Sequence, residues 1–263
     1  MRTYAYALLL SLLLATGARA QAPGAVVELD DLTWTELRDR IAGGATTVLV
    51  PIGGTEQNGP HMTLGKHNVR AKVLAEKIAL ALGNALVAPV IGYTPESTSH
   101  TRFPGTISIS DAAFTAVLES AARSFRHAGF RDIVFLGDHG SYQKDLKVAA
   151  ARLNGEWKPT DTRAHAIVEY YAVAETSYVQ ALKKRGFGDD EIGTHAGLAD
   201  TSLALAVDPN LVRSERLRSG PQLGAADGVY GDPRRANAEL GKIGIDLIVA
   251  RSVEAIRKAT ARR

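Results

Sequence analysis

Short apolar runs alternate along this chain with longer segments whose apolar residues recur every three or four positions. "TTVLVPIGG" (46–54) is β-branched and apolar and is stopped by Pro51 and a Gly pair, which predicts a buried strand. Ala85 to Ile91, "RDIVFLGDHG" (131–140) and Ala164 to Tyr171 read as further strands. Helical spacing covers Trp34 to Ile41, Val69 to Leu82, Asp111 to Ala128, Tyr142 to Leu153, Ala174 to Arg185, Gly197 to Ala206 and Asn237 to Ala259. "FPGTISIS" (103–110) predicts a short extended piece between two of them. Strands separated by helices of that length make βαβ units. The expected fold class is therefore α/β, a mainly parallel central sheet with helices on both faces. No internal repeat, low-complexity tract or linker interrupts the pattern, so residues 21–263 read as a single domain.

Residues 1–20 stand apart. Arg2, an apolar stretch from Ala5 to Thr16, and Ala18-Arg19-Ala20 before Gln21 have the order of a secretory signal peptide, too short for a membrane span. The mature protein is expected to be periplasmic or secreted, with no membrane attachment once the signal is removed. Lys and Arg total 31 against 28 Asp and Glu; taking away Arg2 and Arg19 leaves 29 against 28, a formal charge of +1. No basic patch interleaved with aromatics remains, which argues against a nucleic-acid partner. The chain has no cysteine, so a metal site would have to come from His, Asp and Glu.

Candidate chemistry gathers where the predicted strands end. "GTEQNGPHMTLGKH" (54–67) follows the first strand and carries Glu56, Asn58, His61 and His67. Asp138 and His139 sit in "GDHG", and His195 and Asp200 in "GTHAGLAD". In an open parallel sheet the carboxyl ends of strands line the ligand crevice, so distant segments can meet there. Each residue alone has a plainer reading. A loop His is usually solvated, and a first-turn Asp suits the helix dipole. There is no dinucleotide or P-loop glycine pattern and no nucleophile elbow around Ser202.

In order, "PIGGTEQNGPHMTLGKH" (51–67), "FPGTISIS", "GDHGSY" (137–142), "GTHAGLADTS" (193–202) and "GVYGDPRRANAELGKIG" (228–244) resemble the creatininase family of metal-dependent amidohydrolases. The resemblance covers nearly all of the chain after the leader. It implies a site for two divalent ions. In the family's first motif a Glu holds one ion, a His the second, and an Asp bridges both. Here the Glu is Glu56, but Asn58 replaces the His and His67 replaces the bridging Asp. The turn His is His139, with Asp138 before it in place of glycine, and Ser141 stands where creatininase has a further metal-binding Glu. The His-Ala-Gly of the family is intact at His195, and its Glu-Thr-Ser appears as Asp200-Thr201-Ser202.

Those departures bear on the metal. A carboxylate can bridge two ions with its two oxygens; a neutral imidazole has one lone pair and cannot. Glu56, His67 and His139 survive as a two-His-one-carboxylate set, which suits one ion, zinc foremost and iron or manganese next, more readily than two. Asp200 is a fourth ligand or a neighbour of the ligands, and His195 and Asp200 are the candidate proton carriers. Asn58, His61 and Asp138 are expected to touch substrate or support the ligands. The expectation is a hydrolase that cleaves a C–N bond other than a peptide bond in a small cyclic or linear amide, acting as a homo-oligomer. Two other readings stay open: a ligand-binding protein that has lost the chemistry, and iron-dependent oxidation on the same ligand set.

Overall fold

The computed structural model describes residues 26–218 and 222–261. The expected leader and its expected cleavage site lie outside them. In chain order the helices and strands are α1 (Trp34–Ala42), β1 (Thr47–Ile52), α2 (Lys66–Leu82), β2 (Ala85–Val87), α3 (Thr98–Thr101), α4 (Asp111–Ala128), β3 (Asp132–Gly137) and α5 (Gln143–Glu156). They continue as β4 (Arg163–Ala166), α6 (Glu169–Val173), α7 (Val179–Lys183), α8 (Asp189–Ile192), α9 (Leu198–Val207), α10 (Ser214–Arg218) and α11 (Ala238–Thr260).

The strands form one parallel sheet in the order β2-β1-β3-β4. Side chains alternate across it as a two-residue period requires. Leu49, Val134 and Leu136 face a core shared with α2, α6, α9 and α11, while Val48, Val50, Ile52, Ile133 and Phe135 face a second core under α4 and α5. The sheet is therefore buried on both faces, as parallel sheets are. β1 leads to β2 on one side and its neighbour β3 leads to β4 on the other, so the connections leaving their carboxyl ends diverge between β1 and β3. Such a switch point opens a crevice beyond the strand ends.

Three elements differ from the pattern-based expectation. The strand expected at Ala85 to Ile91 stops at Val87; Pro89 has no N–H for a ladder, and Ile91 makes only an isolated bridge to Ile52. The strand expected at Ala164 to Tyr171 stops at Ala166, and Tyr170 turns into α6, where its ring is buried and its hydroxyl bonds Asp138 Oδ1 at 3.0 Å. The helix expected from Ala174 contains a π-turn over Ala174–Tyr178 between α6 and α7. Among the described residues no helix is long and apolar enough to cross a membrane.

Candidate metal centre and active site

Glu56 is the centre of the site. It sits four residues past β1, on a loop pinned from several sides. Asn68 Oδ1 accepts the Gly54 N–H at 3.0 Å, the Glu56 N–H donates to Leu64 O at 3.1 Å, and the Gln57 N–H donates to Thr106 Oγ1 at 3.0 Å. The Glu56 side chain is fully buried, yet both oxygens are partnered: Oε1 lies 2.8 Å from His67 Nε2 and Oε2 lies 2.7 Å from His100 Nδ1. His139 Nε2 and His195 Nδ1 stand farther from Oε1, at 3.7 and 3.9 Å. Four imidazoles thus surround one carboxylate. Burial alone would raise the Glu56 pKa, but hydrogen bonds from His100 and His67 and the charge of His67 outweigh it and hold the group well below the usual carboxylate range.

α2 begins one turn earlier than the apolar spacing suggested, which places Lys66, His67 and Arg70 in its buried first turns. His67 faces a carboxylate with each ring nitrogen, since Nδ1 lies 2.6 Å from Asp138 Oδ2. Arg70 Nε donates to both Asp138 oxygens at 3.0 and 2.8 Å and its NH1 donates to Asp200 Oδ1 at 3.0 Å. Its NH2, 3.2 Å from His67 Nδ1, makes the longer, competing contact. Lys66 Nζ is 2.9 Å from Asp200 Oδ1. For both aspartates burial pushes the pKa up. The Arg70 charge and the His67 hydrogen bond overturn that at Asp138, as do the Lys66 and Arg70 charges at Asp200, and both end below their ordinary value.

His139 and Asp138 follow β3, whose Gly137 pairs with Ile52 of β1, so the two loops meet by register. Ser141 Oγ donates its hydrogen to Pro95 O at 2.5 Å and must therefore accept from His139 Nδ1 at 2.8 Å. That bond puts the proton on Nδ1 and turns the Nε2 lone pair toward Glu56, while the Ser141 N–H, 3.3 Å from Nδ1, favours the opposite tautomer through a longer contact. Burial lowers the His139 pKa to about 3, and burial followed by the Lys66 charge lowers that of His195 to about 4, so both rings are neutral in ordinary buffers. Ala196, just after His195, has φ of 56°, the one positive value outside glycine among the described residues, and Asp200 Oδ2 holds its N–H at 3.0 Å. His195 Nε2 lies 3.0 Å from Gln57 O, and its ring stacks on His100 with centroids 4.2 Å apart.

The structure brings Glu56, His67, Asp138, His139, His195 and Asp200 together. It also places Asn58 and His61 in the same loop in supporting positions. Asn58 Nδ2 donates to Glu56 O at 2.9 Å, and His61 Nε2 is 3.0 Å from Thr201 Oγ1. Glu96, Lys66 and Arg70 went unread in the sequence, and His100 reads there only as intermediate between a site residue and a structural one. Glu96, His100, Glu56 and His139 offer donor atoms all within 4.8 Å of one another, the grouping among the described residues that could hold a metal ion. Glu96 stands against Glu56, and burial, then the Glu56 charge, push its pKa up to about 8. The signal in the sequence was a carboxylate and an imidazole four positions apart in "PESTSH" (95–100). Beside the cluster a cleft of about 50 Å³ opens, walled by His67, His139, His195, Asp200, Tyr171 and Glu175, with room for a few waters or a small group.

Fold and site together define an α/β protein with a buried His–carboxylate centre at the switch point of its sheet. The creatininase (creatinine amidohydrolase) family model matches residues 30–256, and the chain belongs to that family. The creatinine amidohydrolase of Pseudomonas putida is 26% identical over 256 residues, 88% of this chain and 96% of that protein. The mycofactocin precursor peptide peptidase of Mycolicibacterium smegmatis is 33% identical over 211 residues, 74% of this chain and 78% of that one. A solved structure described as "Creatininase Mn" is 26% identical at a TM-score of 0.73, covering 90% of this chain and 100% of its own. A mutant creatininase of "Zn-Zn type" gives 26% and 0.73, covering 91% and 100%.

Proposed function

We propose that this protein is an exported, metal-dependent amidohydrolase that cleaves a C–N bond with water and uses one divalent ion per chain. The observation that carries the reading is the fully buried Glu56 with four histidines around it, at the crevice of a creatininase-family fold. The donor set of nitrogen and oxygen suits zinc or manganese. Glu56 and His139 would hold the ion, with Glu96 and His100 within reach of it. Bound there, it would polarise the amide carbonyl and lower the pKa of its water.

The chain's own groups supply the remainder. His195 Nε2 lies 3.0 Å from both the Gln57 carbonyl, to which it can donate, and the Gln57 side-chain Nε2, from which it can accept. With its proton on Nε2, the Nδ1 lone pair faces the cluster to take a proton and return it to the leaving nitrogen. Asp200 has Oδ1 on Lys66 and Arg70 and Oδ2 on the Ala196 N–H. It therefore acts by positioning the His195 turn rather than by carrying a proton. The small cleft favours a compact amide, and the peptidase relative keeps a short peptide among the substrates to be tried. Export and assembly into a homo-oligomer belong to the same reading; Trp34 and Tyr93 are 74% and 62% exposed and available for subunit contacts.

A panel of cyclic amides, linear amides and short peptides, assayed for amine release with and without added zinc or manganese, tests it. Turnover of at least one class that needs the metal, and is lost in His195→Asn, is expected. A protein that binds the compounds tightly but never hydrolyses them would be the altered binding protein instead.

A further inference from the structure

Glu96 has its side chain wholly out of water (0% exposed). Thr94 Oγ1 donates to its Oε1 at 2.9 Å, but its Oε2 meets no donor among the described residues. A buried, unpartnered carboxylate oxygen is costly, and here it points toward a second buried carboxylate, Glu56. Nearby cations do not relieve the pair. Lys66 and Arg70 are committed to Asp200 and Asp138. A divalent ion between Glu56 and Glu96 would.

Imidazoles are placed to complete such a set, and one is placed not to. His139 turns its Nε2 toward Glu56, and with the Nδ1 proton donated to Ser141 Oγ, the shorter of the two Ser141 contacts, that Nε2 offers a lone pair. Ser141 stands where creatininase carries a metal-binding Glu, and here it orients a ligand, a role that the partners of metal-bound histidines commonly fill. His100 is delivered by α3, whose start is capped by Ser97, and lies within the same 4.8 Å grouping. Its Nδ1 is 2.7 Å from Glu56 Oε2, and its other ring nitrogen meets no hydrogen-bond partner among the described residues. His67 has both nitrogens engaged, Nε2 with Glu56 and Nδ1 with Asp138 and, at 3.2 Å, with Arg70 NH2. Asn58 has spent its amide nitrogen on the Glu56 and Thr63 carbonyls.

We propose that Glu96 and His100, supplied by the turn after β2, join Glu56 and His139 as ligands of a single divalent ion, and that His67 is a strut between Glu56 and Asp138 rather than a ligand. The proposal rests on the metal-dependent reading above and goes beyond it in naming the ligands. The donor atoms, all within 4.8 Å of one another, would close to roughly 3.4 Å in a tetrahedral shell.

Zinc titration calorimetry on metal-stripped mature protein reads this directly, on wild type, Glu96→Gln, His100→Asn and His67→Asn. Wild type is expected to take up about one zinc per chain. Glu96→Gln and His100→Asn should each weaken it by ~10-fold or more, and His67→Asn should keep one zinc within a few-fold of wild type. Melting temperatures of the metal-free variants check folding, and Glu96→Asp, which keeps a carboxylate, should recover part of the affinity that Glu96→Gln loses. Tight zinc binding that ignores Glu96 and His100, or vanishes in His67→Asn with the fold intact, overturns this ligand set and leaves the metal-dependent reading standing. No uptake of zinc or manganese by wild type overturns both.

Discussion

Arg70 joins the site to the core. Its guanidinium serves Asp138 and Asp200 at once, and His67 reaches Glu56 only because Asp138 holds its other nitrogen. Arg70→Met would leave the buried Asp138 without its guanidinium and Asp200 with Lys66 alone, and breaking a buried pair of this kind costs about 3–5 kcal/mol. Denaturant unfolding should show a loss of that order. His61 gives a pH signature. Burial, then the Lys66 charge, lower its pKa from 6.5 to about 4. Between those values the unfolded chain holds more protons than the folded one, so stability is full above pH 6.5 and falls as pH drops toward 4. The gap corresponds to on the order of 3 kcal/mol. Metal-free protein should melt progressively lower across that window, and His61→Asn should show a shallower decline. Glu56 and His139 could be singled out in the sequence because each follows an abrupt end of an apolar run, and His195 because it sits just before a predicted helix. Lys66, Arg70 and Glu96 could not, because a charged residue in a helix's first turn or a Ser/Thr-rich turn has the pattern of solvated surface. Only the packing of α2 and of the turn after β2 reveals their burial.

At the level of elements, the crevice depends on α9 and α11 lying against each other. A Cβ on Gly241 would fall 1.8 Å from Ser202 O, so α11 reaches the α9 backbone only because position 241 has no side chain. Gly241→Ala should therefore destabilise by about 1–3 kcal/mol or more, seen as a lower melting temperature. It should also weaken metal uptake, because α9 carries Asp200 and anchors the turn of His195. The order of the strands and the long helices was legible, since burial is written in the apolar positions of β1, β3, α4 and α11; the short helices α3, α6, α8 and α10 were not. Where length was misjudged, a tertiary contact decided it: Tyr170 left the β4 line to bond Asp138, and Pro89 ended β2. The π-turn over Ala174–Tyr178 had no pattern to announce it; it lies along the cleft wall with Glu175, and such turns often mark functional positions.

For the whole molecule, the sheet order puts the loops after β1, β2 and β3 on one rim, and each contributes to the centre: Glu56, then Glu96 and His100, then Asp138 and His139. Family resemblance located the first and third of these groups and could not locate the second, because the turn carrying Glu96 and His100 lies outside the motifs compared. Lys66, His67 and Arg70 crowd the side where the Asn58 and His67 replacements removed the family's second-ion ligands. Those residues make one ion per chain the expectation, in contrast to the "Zn-Zn type" described for a creatininase structure. Elemental analysis of purified mature protein, after saturation with zinc and removal of excess, tests this most directly. The account predicts about one equivalent per chain; two equivalents, or none, would contradict it.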